Sequence, residues 1–193
     1  MNKSILIIAA AVVLCFSQIL PAEINELEKN AQSFAWKNIS LGSTLLEIKE
    51  SHPKIEANSD WISAAEKKQG IGGLMLQGED GIDMGLLRTY EDKVYYVIII
   101  YDYDDLRALA GGDLQAGLKL FLTKLKGKLG DDYEFDTNED DKTGLFTWAA
   151  KKVNRQIQLQ YDDKEQYIRL FYKDTAVAKQ IIEKAKKNAD VGF

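Results

Sequence analysis

The chain has 193 residues, of which 30 are acidic and 25 are basic, and it contains one cysteine and one histidine. Its formal net charge of −5 provides no general attraction for phosphate backbones, so we expect no nucleic-acid binding. A single cysteine and a single histidine also exclude a disulfide framework and a conventional zinc site.

Residues 1–22 have the three parts of a secretory signal peptide. Lys3 precedes an apolar run from Ile5 to Phe16, and small Ala22 ends the segment. Polar residues and Pro21 interrupt this run before it reaches the roughly 20 apolar residues of a spanning helix. We therefore expect cleavage after Ala22 or, as a second possibility, after Ser17. The protein would be exported, either periplasmic or secreted, with no stable membrane insertion after signal cleavage.

Cys15 lies inside the predicted signal peptide. Leu14 precedes it, whereas a lipid-modified cysteine normally follows a small residue, so we interpret Cys15 as an apolar member of the signal. The mature chain is then cysteine-free and must be stabilised by its core alone. Residues 23–193 are long enough for a single α+β domain. We expect it to divide into two similar halves, at about 33–108 and 109–190.

The first half begins with residues 23–32, which form either a short helix or a mobile leader. Thr44 and Glu47 have the spacing of a capping box, and the helix that they start runs to about His52 before Pro53. Gly70–Gly73 resembles a loop. Strands are expected at Leu74–Gln77, Ile82–Tyr90 and Val94–Tyr101. The last of these is apolar almost throughout, which is typical of a strand buried on both faces.

The second half repeats this order. Asp113 is expected to cap a helix with apolar residues at helical spacing up to Leu129, and Gly130 has the position of a C-terminal cap. Strands are expected at Leu145–Ala150, Arg155–Tyr161 and Gln166–Lys173. A final helix spans about Thr175–Asn188. Its predicted buried residues are Val177, Ile181, Ile182 and Ala185.

The element order predicts an α+β fold made of tandem helix-plus-three-strand meander units. We expect an antiparallel sheet with helices packed on one face. The segment Ile39–Lys49, ISLGSTLLEIK, resembles the helix start "I-x-x-G-x-[ST]-x-x-E-[VI]" of two groups of small exported proteins. These are the BamE outer-membrane assembly lipoproteins and the tandem-repeat β-lactamase inhibitory proteins. The resemblance implies the helix-then-meander order and a non-catalytic role in binding other proteins.

The side chains that could take part in catalysis or metal binding do not match the pattern of a known type of site. His52 stands alone at a helix end, without a nucleophile motif, so we interpret it as structural. The segment Asp136–Asp141 begins like a calcium loop, but Asp141 and Thr147 occupy the places of its glycine and glutamate. Asp102, Asp104 and Asp105 are better explained as strand termination or helix capping. We expect no catalytic residue, no metal and no cofactor.

The alternation of the last two strands predicts a binding surface. Gln158 and Gln160 lie opposite the apolar side chains of one strand, and Tyr167, Arg169 and Phe171 lie opposite those of the next. If helices cover the apolar face, these five residues form an open face of the composition found in interfaces. The alternative is an ordinary solvated sheet.

Three functions remain open from the sequence. The first is an exported non-catalytic module that binds another protein, for example in envelope assembly or inhibition. The second is a carrier or sensor of a small apolar ligand held between sheet and helices. The third is a hydrolase that uses carboxylates.

When the full chain is exported by a cell with a secretory pathway, we expect the mature protein to begin at Glu23. N-terminal sequencing or intact-mass measurement checks this position. A start at Gln18 would indicate the second cleavage site, and an exported protein that keeps Met1 would contradict the signal-peptide interpretation.

Overall fold

The computed structural model describes residues 24–77, 82–102, 104, 107–108, 111, 114–138, 142–162, 164–165 and 167–190. The predicted signal peptide and the predicted cap Asp113 lie outside these residues. The following paragraphs concern the described part of the chain.

Two antiparallel sheets contain all the described strands. A hairpin joins β1 (Ala35–Trp36) and β2 (Ile39–Ser40). The large sheet has eight strands: β3 (Glu56–Ala57), β4 (Ile71–Gln77), β5 (Ile82–Tyr90), β6 (Lys93–Asp102), β7 (Glu134–Asn138), β8 (Thr143–Ala150), β9 (Arg155–Asp162) and β10 (Tyr167–Asp174). Their order across the sheet is β3-β4-β5-β6-β10-β9-β8-β7, and every neighbouring pair is antiparallel.

The described α-helices are α1 (Glu26–Gln32), α2 (Leu45–Ser51), α3 (Ala64–Lys68), α4 (Leu114–Leu129) and α5 (Thr175–Asp190), and a 3-10 turn spans Lys151–Val153. Each of the three short helices begins with a capping box, in which the cap side chain and a glutamate three residues later bond each other's backbone amides. The box predicted at Thr44 and Glu47 is confirmed. No helix in the described ranges combines the length and apolar character needed to cross a membrane.

The strand order confirms the predicted tandem arrangement. Each half contributes one meander, β3-β4-β5-β6 and β7-β8-β9-β10, and the two meet where β6 pairs with β10. The last strand of each meander lies at the centre of the sheet. The four strands of each meander therefore follow one another in chain order from an edge of the sheet to its centre. Each meander also contains an outer strand, β3 or β7, in addition to the three that were predicted.

One face of the sheet carries the main core. Alternate strand residues, among them Val97, Ile99, Leu170 and Tyr172, are at most 3% exposed. Above them pack α1, the β1–β2 hairpin, α2 and α4. The prediction of helices on one face holds for these three helices, whereas α5 packs on the other face. Two polar contacts hold this layer: the Tyr172 hydroxyl donates to the Ala31 carbonyl at 2.8 Å, and Trp148 Nε1 donates to the Gly130 carbonyl at 3.0 Å.

A second, smaller cluster lies on the opposite face at one end of the sheet. Its buried residues are Ile62, Ile71, Tyr90, Tyr95 and Ile181. Ile71 pairs with Tyr90, three positions from the pair Leu74–Leu87 of the main core, so the two pairs point to opposite faces. Helix α5 therefore contacts the second face, although only near this end.

Two predictions about local structure are wrong. Gly72 and Gly73 belong to β4 and not to a loop. A β-carbon at Gly73 would lie 2.7 Å from the Asn58 carbonyl oxygen and 2.9 Å from Ile62 Cγ1, so glycine permits a close approach of the chain to the strand. Ile182, predicted as buried, is 55% exposed because α5 covers the sheet along a narrow line through Ile181.

The substitution Gly73→Ala should lower the free energy of unfolding by about 1–3 kcal/mol, the usual cost of overpacking. Gly127→Ala is the matched control, because a β-carbon there meets nothing within 4 Å and Gly127 lies in the exposed part of α4. The control should stabilise the protein by about 0.5–1 kcal/mol. Urea unfolding measures both changes, and equal effects at the two positions would contradict the packing assigned to Gly73.

Candidate binding face of the sheet

The five residues predicted to bind lie on the second face of the sheet, opposite the main core. Gln158 and Gln160 belong to β9, and Tyr167, Arg169 and Phe171 belong to β10; all five are half-buried. Their strand neighbours Ile157, Leu159, Ile168, Leu170 and Tyr172 are at most 3% exposed. The alternation in β9 and β10 therefore follows the predicted pattern.

The pairing register brings four of the five residues into one group. Gln158 lies directly opposite Phe171, and Gln160 lies directly opposite Arg169. Tyr167 pairs with Asp162 and lies at the end of the group, next to the turn between the strands.

Sequence reasoning missed the apolar part of this surface, which lies on the strands of the first half. Two rows cross the sheet from β4 to β9. One row consists of Met75, Leu86, Ile98, Phe171 and Gln158; the other consists of Gln77, Met84, Ile100, Arg169 and Gln160. We use the name open face for ten of the side chains on this surface: Met75, Met84, Leu86, Ile98, Ile100, Gln158, Gln160, Tyr167, Arg169 and Phe171.

The apolar side chains of the open face belong to neither buried cluster. Met75, Met84, Leu86, Ile98 and Ile100 are half-buried and pack with neither the main core nor the smaller cluster. The expectation that β6 is buried on both faces is therefore wrong for its central part. The smaller cluster on this face contains residues of α5 and of the chain before α3, and it lies at the end near Tyr90.

Aromatic and cationic contacts fix the orientation of the larger side chains. The Phe171 ring stacks on the Tyr96 ring, with centroids 6.2 Å apart and planes 17° apart. The Arg169 guanidinium lies 3.7 Å from the centroid of the Tyr167 ring. Gln158 Nε2 donates a hydrogen bond to Thr147 Oγ1 at 3.1 Å. These contacts hold the surface in one arrangement before a partner binds, which reduces the entropy cost of association.

The open face has one formal charge, that of Arg169. Within the described residues, Arg169 takes part in no ion pair, and its cation–π contact leaves the guanidinium N–H donors available. Burial raises the pKa of the Tyr167 hydroxyl, and although Arg169 acts in the opposite direction, the pKa stays above its ordinary value. Tyr167 is therefore protonated at neutral pH, and the Asp162 carboxylate that accepts its hydrogen bond also raises this pKa. The surface offers apolar area, aromatic rings and a few directed donors.

The other residues that the sequence analysis considered for catalysis or metal binding do not belong to the open face. His52 Nε2 lies 2.7 Å from the Lys37 carbonyl oxygen and connects the end of α2 to the β1–β2 turn, which is a structural contact. Asp104 is exposed and lies 3.5 Å from Arg107 Nη1. Asp136 is exposed on β7, while residues 139–141 of the same segment lie outside the described ranges. Among described side chains, no group of three or more could jointly hold a metal ion.

Comparisons of the chain with protein-family models, with curated proteins and with solved structures find no match. The arguments about function below therefore depend on the geometry of the sheet and its surface.

The double substitution Arg169→Ala and Phe171→Ala should leave the fold intact. It removes one aromatic stack and one cation–π contact, so we expect the free energy of unfolding to fall by less than about 1.5 kcal/mol. Leu170→Ala is the matched control on the same strand, because Leu170 is 3% exposed and its truncation should cost about 2–5 kcal/mol. Urea unfolding compares the variants, and global unfolding of the double variant would contradict the assigned faces.

Proposed function

We propose that this chain is an exported, non-catalytic module that binds another protein through the open face. The observation that carries the proposal is the apolar part of the face, which crosses three neighbouring strands and belongs to neither core cluster. Contiguous apolar area that a protein leaves uncovered is typical of interaction sites. Phe171, Tyr167 and Arg169 beside it are of the residue types enriched in interfaces.

The dimensions of the open face suit the centre of a protein interface. With about 4.8 Å between strands, its width from β4 to β9 is about 19 Å, and five residues along β10 add about 13 Å. The resulting area of about 250 Å² is smaller than the roughly 800 Å² that each partner usually contributes. The partner would therefore also contact polar side chains around the face, such as Thr147 on β8.

The order of polarity across the face agrees with this role. Apolar side chains occupy its part on β4, β5 and β6, and the two glutamines occupy its part on β9. The apolar side of such a surface excludes water on binding, while the hydrogen-bonding side sets specificity. We expect the partner to present a complementary apolar patch with hydrogen-bond acceptors near Arg169.

The helix start at Ile39–Lys49 provides independent support. The backbone of Gly42 donates to the Val94 carbonyl at 2.7 Å, and Val94 N donates to the Ser43 carbonyl at 3.0 Å, so this motif anchors α2 against the first strand residues of β6. The proteins that the motif resembles are exported and bind other proteins. In this chain the motif lies on the core side of the sheet, opposite the side that carries the open face.

The proposal is tested by photo-cross-linking. A photoreactive phenylalanine analogue at Gln160 is exposed, in the exported protein, to the envelope fraction of the source cell. We expect it to form one dominant adduct with a protein, identifiable by mass spectrometry. Adding Arg169→Ala and Phe171→Ala should remove the adduct, because together they remove the cation and the largest ring of the face.

The same analogue at Lys124, which is exposed on α4 on the core side of the sheet, serves as the control and should not form this adduct. Equal labelling from both positions, or an adduct that persists in the double variant, would contradict binding through the open face. Self-adducts alone would indicate that the face joins copies of this chain and would contradict a heterologous partner.

A further inference from the structure

A cleft of about 350 Å³ lies between α5 and the second face of the sheet, at the end away from Tyr167. Ile71, Ile181 and Ile182 supply much of its apolar wall, and its ionisable lining includes Glu66, Arg88 and Lys173. This volume lies within the range of small-molecule sites, and the combination of apolar walls with a few convergent polar groups is typical of them.

A β-bulge places two tyrosine side chains in the wall of the cleft. The register between β5 and β6 shifts after the pair Arg88–Tyr96, and Thr89 pairs with Val94, so Tyr95 is the extra residue. Both Tyr95 and Tyr96 consequently line the cleft. Burial raises the pKa of each hydroxyl, and although the positive charge of Arg88 acts in the opposite direction, both pKa values stay above the ordinary value. Both hydroxyls are therefore protonated and able to donate at neutral pH.

Arg88 is held rigidly in the cleft. Its guanidinium lies 5.4 Å from the Trp61 ring centroid and 5.6 Å from that of Tyr96, and Nη1 lies 3.0 Å from Glu66 Oε1. Its Nε is buried and has no hydrogen-bond partner among the described residues, and the same is true of Trp61 Nε1. Because this Nε has almost no solvent-accessible area, a ligand in the cleft contacts Arg88 through its terminal nitrogens.

Lys173 supplies a second cation. It is half-buried at the end of β10, and within the described chain it takes part in no ion pair. Since Glu66 balances only one of the two cations, the cleft has one positive charge in excess. This local excess contrasts with the net charge of −5 of the whole chain. It selects for a ligand with one negative charge.

We propose that this cleft binds a small single-chain amphiphile with one anionic head group, a carboxylate or a sulfonate. The head group lies between Lys173 and Arg88, where it accepts hydrogen bonds from both and can reach the tyrosine hydroxyls. The apolar body lies along Ile71, Ile181 and the exposed Ile182. The site is separate from the open face, so the inference does not depend on the proposed protein binding.

Two dyes with the same rings test the charge requirement. The exported protein is titrated with anionic 8-anilinonaphthalene-1-sulfonate and, separately, with neutral N-phenyl-1-naphthylamine, and fluorescence gives each dissociation constant. Lys173→Gln should weaken binding of the sulfonate about fivefold to tenfold, because a charge-assisted hydrogen bond is lost. It should change binding of the neutral dye less than about twofold. Lys186→Gln, which removes the same charge from an exposed position of α5, should alter neither.

Ile182 provides a test that does not depend on a buried residue. Ile182→Glu and Ile182→Lys remove the same apolar contact from a 55% exposed position but introduce opposite charges. We expect the glutamate variant to bind the sulfonate at least about fivefold more weakly than the lysine variant. Circular dichroism verifies that all variants are folded.

Octanoate should displace the sulfonate dye, whereas octan-1-ol at the same concentration should displace it far less. The proposal is overturned if Lys173→Gln and Lys186→Gln act alike, or if the two Ile182 variants bind the sulfonate equally. It is also overturned if Arg169→Ala alone abolishes dye binding, since Arg169 does not line the cleft and the dye would then lie on the open face. Binding to anionic phospholipid vesicles with no displacement by octanoate would assign the cations to a membrane surface instead.

Discussion

The antiparallel pairing of β6 with β10 is the constraint on which the rest of the structure depends. Seven consecutive residue pairs, from Tyr96–Lys173 to Asp102–Tyr167, join the two halves into one sheet. On its core face this seam places Val97 beside Tyr172 and Ile99 beside Leu170, all nearly inaccessible to solvent. The chain has no disulfide to hold its halves together, since Cys15 is its only cysteine. Backbone ladders and shared apolar burial supply this connection.

Uneven covering of the two faces follows from the same seam. The helices and the β1–β2 hairpin that precede each meander all pack on one side, where Gly85 leaves room for the Trp36 ring over the sheet. Helix α5 follows β10 directly and returns over the other side, but it reaches only the Tyr90 end. The second face is thereby divided into a cleft beneath α5 and the open face beyond it. The Tyr96–Phe171 stack lies at the boundary between them.

The candidate site could be predicted in part. In β9 apolar residues alternate with glutamines, and in β10 the two-residue period of a strand separates Tyr167, Arg169 and Phe171 from Ile168, Leu170 and Tyr172. The five candidate residues could therefore be assigned to one face without knowing the partners of these strands. Ile98 and Ile100 gave no such signal. Apolar residues on both sides of β6 indicate burial on both faces. The structure shows Val97 and Ile99 buried in the main core and Ile98 and Ile100 only half-buried on the other face. Met75 and Met84 belong to the open face because of the register between β4, β5 and β6, and no local sequence pattern determines that register.

The sequence alone established those features that depend on residues close together in the chain. Capping boxes, turn residues and alternation act over two to four positions, so the Thr44 helix start, the Gly130 helix end and the faces of β9 and β10 follow from neighbouring residues. Only the tertiary structure decided the central β6–β10 pairing, the bulge at Tyr95 and the extent of α5 over the sheet. These features depend on contacts between residues far apart in the chain. Their stability comes from apolar area that two distant segments bury together. The sequence of one segment does not identify the segment with which it will pack.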